Sequence, residues 1–295
     1  MGDTSRTTER IRLPLMIPVH PYLRDHHFEG RIILPAVEAL QYLAESVQVY
    51  RSDAHVRCMR SATFSRFLDI EKDVGVIEAC NELEVCEGGR ILSRLITIDR
   101  IRGTMTRTKM HAAVSFTSAG ECVAGKSVDT IPVKKEISYK ISSEKLYSDL
   151  VPFGPSYRNV RGDILLSENG AVAMVYAAVN QAPSEPLGSA FPFDGALHVA
   201  CAWGQRYCNI VAFPVGFEER VIVKPTIPGE TYHCRISPIS ATGESLLFDI
   251  CIHDLAGHLR EEIRGAIMRD VSGGRVKPPG WVLYSPPARP FNERG

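Results

Sequence analysis

The chain of 295 residues is 44% hydrophobic and 23% charged, the composition of a soluble globular protein long enough for one large core or two smaller ones. Lys+Arg and Asp+Glu both number 34, so no net field draws it to nucleic acid or to an anionic membrane, and only a local basic patch for an acidic partner stays open. No window reaches the roughly 18 apolar residues of a membrane span, and polar Met1–Arg12 holds no signal-peptide core, so a cytoplasmic protein is expected.

The first clear apolar periodicity predicts a helix from about Leu34 to Tyr50. Leu34, Val37, Leu40, Leu43, Ala44 and Val47 share one face, and Pro35 falls in the first turn, where a missing N–H costs nothing. Strands follow: Val74–Val85 and Ile91–Ile101 around a Gly88-Gly89 turn, then Lys109–Thr117. Ile131–Ser143, with Pro132 and a Lys134-Lys135-Glu136 cluster, reads as a linker.

A second helix is expected from about Asp194 to Tyr207, with Asp194 suited to cap it. Strands come after it again, at Val221–Val223, Thr231–Ile239, Ser245–Ile252 and Arg260–Asp270. One helix followed by several strands, twice over, argues for two equivalent α+β units rather than a doubly wound sheet. The expected divisions are 1–135, 136–271 and a tail, 272–295, which carries five of the 19 prolines and reads as an extended arm. The eight cysteines form no C-x-x-C pair and mostly sit in apolar runs, so reduced core thiols are expected rather than a disulfide framework or a zinc site.

Two stretches place ionisable groups beside helix starts. One is Asp25-His26-His27-Phe28-Glu29-Gly30, running on to Pro35. The other is Phe191-Pro192-Phe193-Asp194-Gly195-Ala196-Leu197-His198. A helix N-terminus suits an oxyanion or a thioester carbonyl, Gly30 allows close backbone approach, and a histidine there is a plausible base.

These residues carry a resemblance. His26-x-x-x-Gly30-x-x-x-x-Pro35, preceded by His20-Pro21-Tyr22-Leu23, resembles the signature of the dehydratase domains of polyketide and polyunsaturated fatty acid synthases. Asp194-x-x-x-His198 is similar to their second motif. Phe153-Gly154-Pro155-Ser156-Tyr157 resembles an intermediate Tyr-Gly-Pro-x-Phe motif with its aromatics exchanged. The likeness spans about residues 14 to 270.

The resemblance implies a double hot-dog fold, two tandem units each wrapping a curved antiparallel sheet around a long helix, with one active site shared between them. It implies a 3-hydroxyacyl-[acyl-carrier-protein] dehydratase without a cofactor of its own, the substrate riding on a phosphopantetheine arm. His26 would take the α-proton and Asp194 would protonate the leaving hydroxyl. Gly30 would hold the carbonyl, and His198 would orient Asp194 by a hydrogen bond one turn away. Pro35, Gly154, Pro155 and Tyr157 would belong to the substrate site; Phe153, lacking a hydroxyl, cannot act as the family's tyrosine.

An acyl carrier protein or acyl-CoA is the implied partner, and a homodimer is expected. Arg24, Arg31, Arg158, Arg161, Arg206 and Arg220 are candidates for a basic mouth. The competing readings are a product-template-like cyclase, a thioesterase and a non-catalytic acyl-binding module, since fold alone does not decide function. A metal site from His20, Asp25, His26 and His27 lacks any recognised ligand spacing, so no metal is expected.

Overall fold

Runs in which apolar and polar residues alternate recur along the chain, and most become strands of one antiparallel sheet. The computed structural model describes residues 7–102, 105–117, 138–243 and 245–284. Its first half holds β1 (Thr7–Pro18), β2 (His27–Phe28), β3 (Arg31–Ile33), β4 (His55–Phe64), β5 (Asp69–Ile70), β6 (Val76–Cys86), β7 (Ile91–Arg102) and β8 (Met105–Thr117). The second holds β9 (Tyr139–Ser142), β10 (Val160–Ser167), β11 (Gly170–Tyr176), β12 (Phe213–Ile222), β13 (Thr231–Thr242), β14 (Ser245–His253) and β15 (Leu259–Arg269).

Twelve of these strands form one sheet in the order β1-β6-β7-β8-β4-β12-β15-β14-β13-β11-β10-β9. Read outward from the central β4–β12 pair, β8-β7-β6-β1 on one side mirrors β15-β14-β13-β11 on the other. The expected repeat is therefore real, and β10 and β9 extend its second copy. At the seam, Phe217 pairs with Ala62 and Arg220 with Met59. Gly216 must be glycine, because a Cβ there would run into the carbonyl of Ala62. Glu219 stitches the seam, accepting from Arg60 at 3.0 Å and from Arg264 at 2.7 Å.

Each copy wraps its sheet around one long helix. The first spans Ala36–Tyr50 and buries Val37, Leu40, Leu43, Ala44 and Val47. It begins after Leu34 because Pro35 is extended (ψ 140°) and stands at the N-cap, where its carbonyl accepts from Glu38 and Ala39. The second spans Phe191–Cys208 and is buried from Phe191 through Gln205. It opens three residues before the expected start, with Pro192 in its first turn. Asp194 is thus inside the first turn and does not cap the helix, so its carboxyl is not spent on its own backbone.

Several strands were not anticipated. β1 carries Pro14 and Pro18, which argue against a strand unless it lies at a sheet edge, where β1 does lie. With β4 and β9–β11 also present, neither copy is simply a helix followed by strands. Residues 131–137 of the expected linker lie outside the described residues, and its far end is β9.

The tail departs from expectation too. Ser272 and Val282 are fully buried, Trp281 donates to Asp149 at 2.9 Å, and Arg206 donates to the carbonyls of Val282 and Leu283. Residues 285–295 lie outside the described residues. Cys80, Cys86, Cys201, Cys208, Cys234 and Cys251 are free thiols, but Cys58 is disulfide-bonded, against the expectation of reduced thiols throughout. Among the described residues no helix is long and apolar enough to cross a membrane.

Arg220, expected at the surface, is buried (1% exposed). It donates twice to Glu261 Oε2, at 3.0 and 2.6 Å, and its guanidinium lies 4.7 Å from the Phe193 ring centroid, one residue from Asp194. Removing one member of such a pair strands the other charge in the core, at a cost of about 3–5 kcal/mol. Arg220→Met is expected to lower the stability measured by urea unfolding by that amount. Arg220→Met combined with Glu261→Leu should recover most of the loss, and a single variant as stable as the parent would show that the pair contributes little.

Candidate active site

The β2–β3 hairpin turns through Glu29 and Gly30, at φ 48° and 77°. Positive φ at both central residues is what a tight two-residue hairpin requires. No atom lies within 4 Å of where a Gly30 Cβ would stand, so backbone conformation, rather than a close approach, accounts for the glycine.

His26 sits at the base of this hairpin. Its carbonyl accepts from Ile33 N at 3.0 Å, and its Nδ1 lies 2.9 Å from the Ile33 carbonyl. A carbonyl only accepts, so Nδ1 carries the ring proton and Nε2 keeps a bare lone pair. Burial brings the histidine down to about 4, outweighing the hydrogen bond to Ile33, which acts the other way. His26 is therefore a neutral, oriented base at physiological pH. The rings of Phe153 and Tyr157 hold it, with centroids at 4.5 and 5.0 Å.

Asp194 comes from the other half of the chain and is 5% exposed. Burial first, then the nearby Glu38, raise its carboxyl well above the usual carboxylate range, so it holds its proton. His198, one turn later, places Nε2 3.2 Å from Asp194 Oδ2, but the two are not aligned as a hydrogen bond. Both atoms are buried and unpartnered. The expected orienting bond is thus replaced by two polar atoms side by side without partners.

His198 is oriented from behind. Val160 N donates to the Tyr147 hydroxyl at 2.8 Å, and the same hydroxyl lies 3.2 Å from His198 Nδ1; with the hydroxyl as donor there, the ring proton is on Nε2. Burial, and then His26, bring His198 down to about 3, so it too is neutral.

His26, Gly30, Asp194 and His198 all line one cavity of about 560 Å³. Its remaining wall is mainly apolar, with Phe28, Leu34, Leu95, Phe153, Leu197 and Met268 among its members. Such a chamber suits a hydrophobic chain ending in a small polar group.

Four expected substrate contacts do not line it. Pro35 starts the first long helix. Gly154 donates to the Asp25 carbonyl at 2.8 Å, packed so tightly that a Cβ would strike the Asp25 side chain. Pro155 opens the short turn Pro155–Tyr157, and the next residue, Ser156, donates its N–H to Asp25 Oδ2 at 2.8 Å. Gly154, Pro155 and Ser156 clamp the residue before His26 and do not line the cavity. Tyr157 is fully buried, with its hydroxyl on Glu38.

Phe153, set aside in the sequence for want of a hydroxyl, reaches the cavity, and two residues were missed: Tyr147, which supports His198, and Glu38, buried on the first long helix. Glu38 falls four after Leu34 on the apolar stripe, and a carboxylate in that position was the available signal.

The alternative metal ligands do not converge. Asp25 is engaged by Ser156, His26 by Ile33, and His20 stacks on Tyr22 at 6.0 Å. Among the described residues no group of three or more His, Cys, Asp or Glu could hold a metal ion.

Of the arginines expected at a basic mouth, Arg220 and Arg206 turn inward and Arg31 is paired with Asp69 at 2.8 and 2.6 Å. Arg158 donates to the Phe153 carbonyl at 3.0 Å and Arg161 lies over the Tyr176 ring. Arg24, half-buried, completes the group.

No protein-family profile and no curated protein matches this chain. Solved structures do. One is a monomeric dehydratase domain from a trans-AT polyketide synthase split module, 13% identical, with a TM-score of 0.71 over 90% of this chain and 100% of that one. A trans-AT polyketide synthase dehydratase domain from Brevibacillus brevis is 19% identical, with a TM-score of 0.68 over 91% of this chain and 96% of that one. The dehydratase domain from the CurJ module of curacin polyketide synthase is 16% identical, with a TM-score of 0.67 over 89% and 95%. The shared feature at these identities is the fold, and this chain is a double hot dog built like those dehydratase domains.

Proposed function

We propose that this chain is a dehydratase, a carbon–oxygen lyase that removes water from a 3-hydroxyacyl thioester in polyketide or fatty acid biosynthesis. One observation carries the reading. A neutral histidine with a bare Nε2 and a protonated aspartate, one from each half, face a single apolar cavity. Titratable groups pushed in opposite directions by their surroundings mark a base and an acid. The fold of the neighbouring dehydratase domains supports the same assignment.

His26 Nε2 removes the proton from the carbon next to the thioester carbonyl. That electron pair becomes the new C=C bond as the C–O bond at the next carbon breaks, and Asp194 gives its proton to the departing hydroxyl. The products are a 2-enoyl thioester and water. The proton gained by His26 balances the one lost by Asp194, and its return closes the cycle. The Gly30 N–H is the donor for the thioester carbonyl as negative charge develops there. His198 Nε2–H, beside Asp194 Oδ2, steadies the carboxylate once its proton has gone. These steps use only residues of the chain and the substrate.

The acyl group arrives on the phosphopantetheine arm of an acyl carrier protein, with acyl-CoA as the other thioester of the right chemistry. Carrier-bound substrate should then show a higher kcat/KM than the same acyl group on a short thiol, an advantage that shrinks as salt rises. Equal rates at every ionic strength would discard the carrier.

With a 3-hydroxyacyl pantetheine thioester, His26→Ala and Asp194→Asn should each cut turnover by roughly 10²- to 10⁴-fold while the protein stays folded by circular dichroism. The double variant should be little worse than either single one. Wild-type turnover in either single variant overturns the assignment.

The pH profile follows from the same pair. His26 works unprotonated, so activity should fall only as pH drops towards about 4. Asp194 works protonated, so activity should fall as pH rises through its own raised titration, well above the usual carboxylate range. A rate that declined through pH 6 to 7 with falling pH would contradict the buried base.

A further inference from the structure

Outside the cavity lies a buried carboxyl that the elimination does not use. Glu38 is fully buried on the first long helix, in its first turn. Tyr22 donates its hydroxyl to Oε2 at 2.7 Å, and Tyr157 donates to Oε1. The two tyrosine rings lie 6.2 Å apart, and both meet the edge of Phe191, at 6.3 and 5.6 Å, in the turn that carries Asp194. Tyr157 also packs against His26. Glu38 is thus one side chain removed from His26, and its charge reaches Asp194.

The groups facing it are Tyr22 from the Pro21–Asp25 turn, Tyr157 from the Pro155–Tyr157 turn, Tyr42 from its own helix and Asp194 from the second long helix. No cation is among them. Two buried carboxyls therefore share one low-dielectric region without a positive charge, and both cannot ionise cheaply. What differs between them is hydrogen bonding: Glu38 receives two O–H donors, and Asp194 Oδ2 receives none.

We propose that Glu38 is a positioning residue for the proton of the site: held by Tyr22 and Tyr157, it is the carboxyl that takes the negative charge, and Asp194 is the one that keeps the proton. A carboxylate is stabilised by hydroxyl donors, and the carboxyl lacking them stays neutral. Burial lifts Glu38 to about 7, with both tyrosine hydroxyls acting to lower it, whereas Asp194 has only burial and the Glu38 charge acting on it, both upward. Glu38 ionises first, and its charge then holds the proton on Asp194 against rising pH. Only the activity arm of the test below rests on the dehydratase reading.

Infrared titration of the whole chain examines the proton directly. The protonated carboxyl band of Asp194 is identified by its disappearance in Asp194→Asn. Glu38→Gln removes the neighbouring charge, so this band should vanish about one pH unit lower than in the parent. If that variant fails to fold, Tyr22→Phe with Tyr157→Phe keeps both rings and removes both donors. Glu38 then stays neutral to higher pH, and the Asp194 band should again be lost at lower pH. An Asp194 titration unmoved in the folded variants overturns the proposal.

In turnover, the alkaline limb of kcat/KM should shift down by the same amount. A uniform fall in kcat with the limb in place would mark Glu38 as merely structural and also overturn the proposal. A parent protein inactive on every 3-hydroxyacyl thioester would sink the dehydratase reading, while the infrared result would still decide the role of Glu38.

Discussion

Everything at the site depends on the antiparallel pairing of β4 with β12. This ladder is where the two copies meet in the sheet, and it fuses an arm of five strands and an arm of seven into one surface with a helix against each half. His26 enters from the segment preceding the first long helix and Asp194 from the first turn of the second. Without the seam, each half would carry one reactive group on an uncovered apolar face. Glu219, bound by Arg60 across the seam and by Arg264 within the second copy, fixes register where a slip of one residue would turn every side chain over.

The seam also explains why the two groups are desolvated. Sheets curving around two adjacent helices exclude water from the region where the copies meet, and burial is the largest influence on His26, Asp194 and His198 alike. Burying polar groups without partners is costly, and His198 Nε2 and Asp194 Oδ2 are two adjacent buried atoms that have none. Their neighbourhood is instead heavily reinforced. Tyr147 and Val160 fix His198, the Gly154–Ser156 turn fixes Asp25, and Ile33 fixes His26. These supports hold His26 and His198, which line the cavity, and the residue before His26.

Much of this was legible in the sequence, for identifiable reasons. The two helices announced themselves by long apolar runs, and His26, Gly30, Asp194 and His198, which line one cavity, stood out because their spacing is local. Helix starts were misplaced by two or three residues because Pro35 and Pro192 are both acceptable near an N-terminus, and only backbone angles tell the cap from the first turn. β1 was hidden by prolines that an edge strand tolerates.

The harder failures were long-range. Nothing local to Gly154-Pro155-Ser156 says that Asp25, far earlier in the chain, lies against it, so the grip on Asp25 was not foreseen. Arg220 looked like a surface charge because Glu261, which neutralises it, lies on a different strand. Glu38 passed unnoticed because Tyr157, which explains it, lies more than a hundred residues away.

That last omission matters chemically. A histidine and an aspartate facing one dry cavity could lower their energy by exchanging a proton and becoming an ion pair, and such a pair could neither accept an α-proton nor donate one to a leaving group. Two features oppose the exchange. Low dielectric penalises both ions, and no hydrogen bond joins the pair to compensate. A second negative charge close to Asp194 makes its ionisation dearer still, provided that charge is itself stable where it stands. Two tyrosine hydroxyls supply that stability at Glu38, on the side of the aromatic cluster away from the cavity. The acid is kept an acid by a neighbour that has been given better reasons to be a base.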